Sequence, residues 1–230
     1  MIISLTGFMG CGKSSVGRRL SELLCCRFVD LDSAIEERCG CTVAEIFERH
    51  GEAEFRKAEK DTLADIIGTI GRGLEVPKTP APTGHPLAGG GMSSPPSSSP
   101  ALSSLIKPET FNHTDSDMVL ALGGGAVMTK ECEEMVHEGT FCVYLRTSVD
   151  ELVARLAGEA AGRPLLGTLP GTEDSALRKE TLYKRIIDLM AQRRSTYEKT
   201  AHIIIDTDGK TIDKIAEEIF YKSTVTPKNG

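Results

Sequence analysis

Five short apolar runs divide the chain, each five residues long: Ile2–Thr6, Arg27–Leu31, Met118–Leu122, Phe141–Leu145 and His202–Asp206. Between them the apolar positions recur at helical spacing, predicting helices at about 13–24, 33–38, 42–49, 52–68, 129–137, 148–157, 176–199 and 211–222. Strands that alternate with helices predict an α/β fold, a parallel sheet with helices on both faces. One stretch breaks the pattern. Val76–Pro108 holds eight of the chain's 11 prolines, seven serines and four glycines, with two charges. It has little to bury against its ordering entropy and is expected to be disordered. The expectation is one domain over 1–224, interrupted by an insertion at about 70–117, with a flexible tail at 225–230.

The chain has 230 residues and a net charge of −6, with both signs mixed throughout. No basic stripe points to nucleic acid, and no basic amphipathic face points to a membrane surface. No apolar run approaches the roughly 20 residues that span a bilayer. The sequence opens directly as a strand, without the features of a leader peptide. Its seven cysteines follow no metal-site spacing. Reduced thiols in a cytoplasmic protein, monomeric and without macromolecular partners, are the expectation.

Gly7-Phe-Met-Gly-Cys-Gly-Lys13-Ser14 fits G-x-x-x-x-G-K-[ST] and lies between a predicted strand and a predicted helix. Glycines let successive N–H groups curl toward phosphate oxygens, and the helix N-terminus adds partial positive charge. Lys13 then reaches the β/γ-phosphates and the Ser14 hydroxyl ligates Mg²⁺. This pattern predicts a nucleoside triphosphate bound with magnesium.

A second carboxylate for the metal is sought at the end of another strand. Met118–Leu122 ends in Gly123-Gly124-Gly125, with no acid. Residues 28–32, FVDLD, offer Asp30 and Asp32 instead. On a strand both would leave the same face. Asp30 is assigned to the metal shell through water. Asp32, ~7 Å further along, is assigned as the proton acceptor of a substrate hydroxyl. The bland alternative makes one aspartate solvated and the other a helix cap.

Glu52, Arg56 and Glu59 in GEAEFRKAE fall on neighbouring turns, which reads either as a surface ion-pair ladder or as a site. Arg193, in LMAQR, lies on an amphipathic helix with Arg185 and Arg194. Two guanidinium forks, Arg56 and Arg193, suit a carboxylate-bearing substrate. Backbone N–H groups of the glycine triplet can approach the same ligand, unless the triplet is only a turn. Gly158–Thr172, rich in small residues, carries Arg163 and reads as a lid that delivers an arginine to the transferring phosphoryl group, or as an ordinary loop.

The segments GFMGCGKSSVGRRL, FVDLDSAIEERCGCTVAEIFERHGEAEFRKAE, LALGGGAV, RPLL and LMAQRRSTY, in this order, resemble shikimate kinase, a small P-loop kinase of the nucleoside monophosphate kinase group. The resemblance spans nearly all of the chain outside the insertion. It implies a five-stranded parallel sheet in the order 2-3-1-4-5. It implies ATP-dependent phosphorylation of the 3-hydroxyl of shikimate, in the chorismate pathway to aromatic amino acids. By position, Asp32, Arg56, Gly123, Gly124, Gly125 and Arg193 would hold shikimate. Gly10, Cys11, Gly12, Lys13, Ser14 and Ser15 would hold the ATP phosphates. Ser14 would hold the metal, Arg163 would be the lid arginine, and Arg155 and Lys210 would lie near the adenine. The insertion departs from the family pattern, as do the lysine at 210 and the spacing from Arg155 to Arg163. A kinase for another polyhydroxy acid, such as gluconate, and a nucleotide-binding regulator that recruits partners through its insertion are the competing readings.

Overall fold

The computed structural model describes residues 1–70, 117–157 and 175–225. The expected insertion, lid segment and tail lie outside the described residues, in whole or nearly so. Five parallel strands form one sheet in the order β2-β3-β1-β4-β5, as expected. They are β1 (Ile2–Thr6), β2 (Arg27–Asp30), β3 (Met118–Ala121), β4 (Phe141–Arg146) and β5 (Ile203–Asp206). The helices are α1 (Lys13–Leu23), α2 (Leu31–Cys39), α3 (Val43–Ile70), α4 (Lys130–Gly139), α5 (Val149–Leu156), α6 (Ser175–Thr200) and α7 (Ile212–Val225).

Both sheet faces are covered, and the strand period of two sorts the core accordingly. Ile3, Leu5, Val119, Val143 and Leu145 pack on one side with Val16, Leu20, Leu152 and Ile219. Ile2, Met118, Leu120, Cys142 and Tyr144 pack on the other with Ile35, Phe55, Leu63 and Tyr197. Local signals set several helix starts. Thr129 caps α4 by accepting from the Cys132 amide, and Ser148 caps α5 by accepting from the Glu151 amide.

The two helices expected at 42–49 and 52–68 are both present within α3, separated by a kink where Gly51 takes φ 79° and ψ 175°. One expectation changes, and it touches the site. Leu31 is not the last strand residue but the first of α2, because the Asp30 side chain accepts hydrogen bonds from the amides of Asp32 and Ser33. That cap turns the chain into a helix directly after Asp30. Asp30 and Asp32 therefore do not share a strand face. Asp32 sits in the first turn of α2.

Register brings the motifs to one level. Ala121 of β3 pairs with Asp30 of β2 on one side and Leu5 of β1 on the other. Asp30, the glycine triplet and the Gly7 loop thus leave the carboxyl ends of three adjacent strands, where open α/β sheets bind ligands.

Candidate active site

The loop after β1 is built for close backbone approach. Gly7, Gly10 and Gly12 have φ of 141°, 81° and 96°. These lie in the region that favours glycine. A side chain on Gly7 would also meet the Leu145 carbonyl oxygen at 2.7 Å. Gly12 is the N-cap of α1 and supplies no side-chain cap, which leaves the first-turn amides to an anion. Lys13 folds back over the loop, its Nζ donating to the carbonyl oxygens of Gly7 (2.9 Å) and Phe8 (3.0 Å). The ammonium is thereby held above the cradle.

The Ser14 hydroxyl donates to Asp30 Oδ2 at 2.6 Å. Asp30 is thus the cap of α2 through Oδ1, while Oδ2 faces the phosphate loop through Ser14. A hydroxyl and a carboxylate side by side at a phosphate cradle are the oxygen donors that Mg²⁺ prefers. Among the described residues, no group of three or more His, Cys, Asp or Glu converges as a metal cage. A magnesium ion here would take its remaining ligands from phosphates and water.

The glycine triplet, leaving the middle of the three strands, is the floor on which charged side chains converge. A side chain on Gly123 would meet Asp32 Oδ1 at 2.8 Å and Glu59 Oε1 at 2.9 Å. One on Gly125 would meet Arg56 Nη2 at 2.6 Å and Nη1 at 2.7 Å. Gly124 accepts through its carbonyl from Arg193 Nη1 at 3.2 Å and from the Tyr197 hydroxyl. Glycine is needed at 123 and 125 for lack of space rather than for backbone conformation.

Arg56 pairs with Glu59 Oε2 at 2.6 Å and Glu52 Oε1 at 3.1 Å. The ladder expected from the spacing exists, but half of it is not on the surface: Glu59 is 2% exposed. Its Oε1 is buried with no hydrogen-bond partner. Burial pushes the Glu59 carboxyl above the usual range, and Asp32 adds to that, while Arg56 and Arg193 pull the other way. Asp32, in the first turn of α2, is exposed. Loss of water is the main cause that raises its pKa, the Asp30 carboxylate adds to it, and Lys13 and Arg56 oppose it. The site is therefore a crowded set of carboxylates held by three cations.

The structure thus brings together Lys13, Ser14, Asp30, Asp32, Arg56, the glycine triplet and Arg193. Arg155 touches the loop, its Nη1 donating to the Gly10 carbonyl at 3.3 Å, and its Nε donating to Glu151 at 3.0 Å. Lys210 is engaged elsewhere, its ammonium paired with Glu218 at 2.6 Å. Arg163 lies outside the described residues. Sequence reasoning gave Glu59 no role beyond the Arg56 ladder and Tyr197 none beyond its place at the end of LMAQRRSTY. The signals were present, Glu59 at i+3 from Arg56 and Tyr197 at i+4 from Arg193, but neither spacing tells a buried helix face from an exposed one.

Comparisons with known proteins give the family. The family model described as shikimate kinase matches residues 9–71 and 108–223. A shikimate kinase of Bordetella avium is 34% identical over 83% of this chain and 70% of its own length. One from Chlorobium chlorochromatii is 31% identical over 96% of this chain and 90% of its own. Among solved structures, the shikimate kinase of Acinetobacter baumannii in complex with shikimate superposes with a TM-score of 0.68 at 26% identity, covering 98% of this chain and 95% of that one.

Proposed function

The chain belongs to the shikimate kinase family, and on that premise we propose how its residues carry the ATP-dependent phosphorylation of shikimate. The convergence of Asp32, Glu59, Arg56 and Arg193 on the glycine triplet, one strand away from the phosphate loop, carries this reading. The acid's carboxylate lies on the guanidinium groups of Arg56 and Arg193, which offer forked donors to it. The 3-hydroxyl faces Asp32. Its carboxylate, whose ionised form Lys13 and Arg56 favour against burial and Asp30, accepts the proton as the hydroxyl oxygen attacks.

On the nucleotide side, the amides that follow Gly12 and the ammonium of Lys13 bind the phosphates. Lys13 exchanges its two carbonyl partners for phosphate oxygens in doing so. Ser14 and Asp30 would hold Mg²⁺. That ion supplies charge neutralisation and alignment of the phosphates when bound. Arg155, already on the Gly10 carbonyl, would lie beside the nucleotide, and Arg163 would close over the transferring group.

All seven cysteines are free, as a reducing compartment requires. Among the described residues no helix is long and apolar enough to cross a membrane. We read the protein as a cytoplasmic monomer.

The test is a purified-protein assay that pairs ATP and Mg²⁺ with shikimate, gluconate or a nucleoside monophosphate. Turnover with shikimate alone, lost without the divalent ion, is the expected result. Equal or faster turnover of gluconate would overturn the substrate assignment.

A further inference from the structure

We propose that Tyr197, a residue without an assigned role in the reaction, is a positioning residue that sets the affinity for the acid substrate by clamping the Gly124 carbonyl. The inference rests on the assignment of Arg193 and the glycine triplet to the shikimate site. Tyr197 lies one turn beyond Arg193 on α6, on the same face of the helix. It is fully buried, and its hydroxyl donates to the Gly124 carbonyl oxygen that also accepts from Arg193 Nη1 at 3.2 Å. Two donors from one helix thus occupy both lone pairs of one acceptor.

The consequence is geometric. In a trans peptide, C=O and N–H point in opposite directions. A clamp on the Gly124 carbonyl therefore fixes the Gly125 N–H on the side away from α6. The neighbouring planes are fixed by the turn itself, since Ala126 N donates to the Gly123 oxygen and Met128 N to the Gly125 oxygen, both at 3.1 Å. Gly124 has no side chain and few contacts to hold its own plane. A side chain there would meet Met9 N no nearer than 3.4 Å. Without the tyrosine hydroxyl only Arg193 would hold that carbonyl, and Arg193 is the group that must also reach the substrate. With the hydroxyl in place Arg193 shares that task rather than carrying it alone.

The neighbour Tyr144 provides a control. Its ring packs on Tyr197 with centroids 5.3 Å apart, and its hydroxyl is buried with no hydrogen-bond partner. Tyr144→Phe and Tyr197→Phe remove the same atom from adjacent buried rings, but only the second touches Gly124.

Steady-state kinetics on the full chain decide the matter. Tyr197→Phe should raise KM for shikimate about 3- to 10-fold, the range of one neutral hydrogen bond. KM for ATP should stay within about twofold. Tyr144→Phe should leave both constants unchanged. A purely structural role for Tyr197 would lower thermal stability without separating the two KM values. Arg193→Lys, measured in parallel, reports on the underlying assignment. If it raises KM for shikimate and Tyr197→Phe does not, the clamp is refuted and the site stands. If neither variant shifts that KM, both fall.

Discussion

Adding one methyl group to Gly125 tests the site at its tightest point. The new Cβ would lie 2.6 Å from Arg56 Nη2, 2.7 Å from Nη1 and 2.9 Å from Cζ. A comfortable contact needs about 3.5 Å, so the guanidinium must retreat by roughly 0.9 Å. It cannot slide freely, because Glu59 holds it at 2.6 Å and Glu52 at 3.1 Å. The backbone is not the issue: Gly125 is absent from the positive-φ glycines, so alanine fits its conformation. A misplacement near 1 Å in a group that orients substrate costs up to about 10²-fold in rate, or about 2.7 kcal/mol of transition-state stabilisation. Gly125→Ala should therefore lower kcat/KM for shikimate by about 30- to 100-fold and leave KM for ATP within twofold. A coupled ADP-release assay, with each substrate varied in turn, reads both. In an Arg56→Lys background the clash is with a compact ammonium on a flexible stem rather than a rigid fork, so the same methyl group should cost less than about threefold more. An equal loss in both backgrounds would show that the methyl acts through the backbone and not through Arg56. A loss under threefold in the parent protein would remove Arg56 from substrate orientation.

Three further outcomes are expected. Asp32→Asn should cut kcat by about 10²–10⁴ while ATP binding persists. Its melting temperature should be unchanged or higher, since a carboxyl with a raised folded pKa loses stability as pH rises through that value; near-normal kcat would refute the base assignment. His202 accepts the Cys142 amide on Nδ1 at 3.0 Å and stacks on His137 with centroids 4.6 Å apart. Burial and His137 lower its pKa, so its contribution to stability is present above about pH 6.5 and is lost as pH falls below that. His202→Asn should flatten the fall of Tm between pH 6.5 and 5, and parallel curves would refute this. Replacing 76–108 by a short Gly/Ser linker should leave kcat and both KM values within about threefold, with closure entropy changing by only about 0.6 kcal/mol per halving. Two observations support this: the family match skips 72–107, and Met118 re-enters at the amino end of the sheet, opposite the site. Loss of activity in a folded deletion variant would contradict it.

What could be read from the sequence follows from how locally each feature is encoded. The phosphate loop is contiguous, with strand, glycines and lysine within fourteen residues, so pattern alone located it. The five strands were found within one or two residues for the same reason. The turn after Asp30 was misplaced because two local rules compete there. An apolar run argues for strand through Leu31, while an aspartate ahead of a helical pattern argues for a cap, and the cap prevailed. Glu59 and Tyr197 could not be placed by local rules at all. Their partners, Gly123 and Gly124, are more than 60 residues away, and only the adjacency of β3 to α3 and α6 makes them site residues.

The same adjacency explains how a site this crowded can exist without ligands. Lys13 rests on carbonyl oxygens, Arg56 on two carboxylates and Arg193 on the Gly124 carbonyl. Each of these three cations thus already has a protein partner. Binding is an exchange of partners rather than the creation of new ion pairs, and an exchange returns much less free energy than a contact formed from nothing. Under the proposed assignment that exchange limits affinity, and discrimination comes from geometry. An acid whose carboxylate cannot reach Arg56 and Arg193 while a hydroxyl faces Asp32 gives up protein–protein contacts without replacing them. Under the proposed assignment such an acid also gives no partner to Glu59 Oε1, which has none of its own.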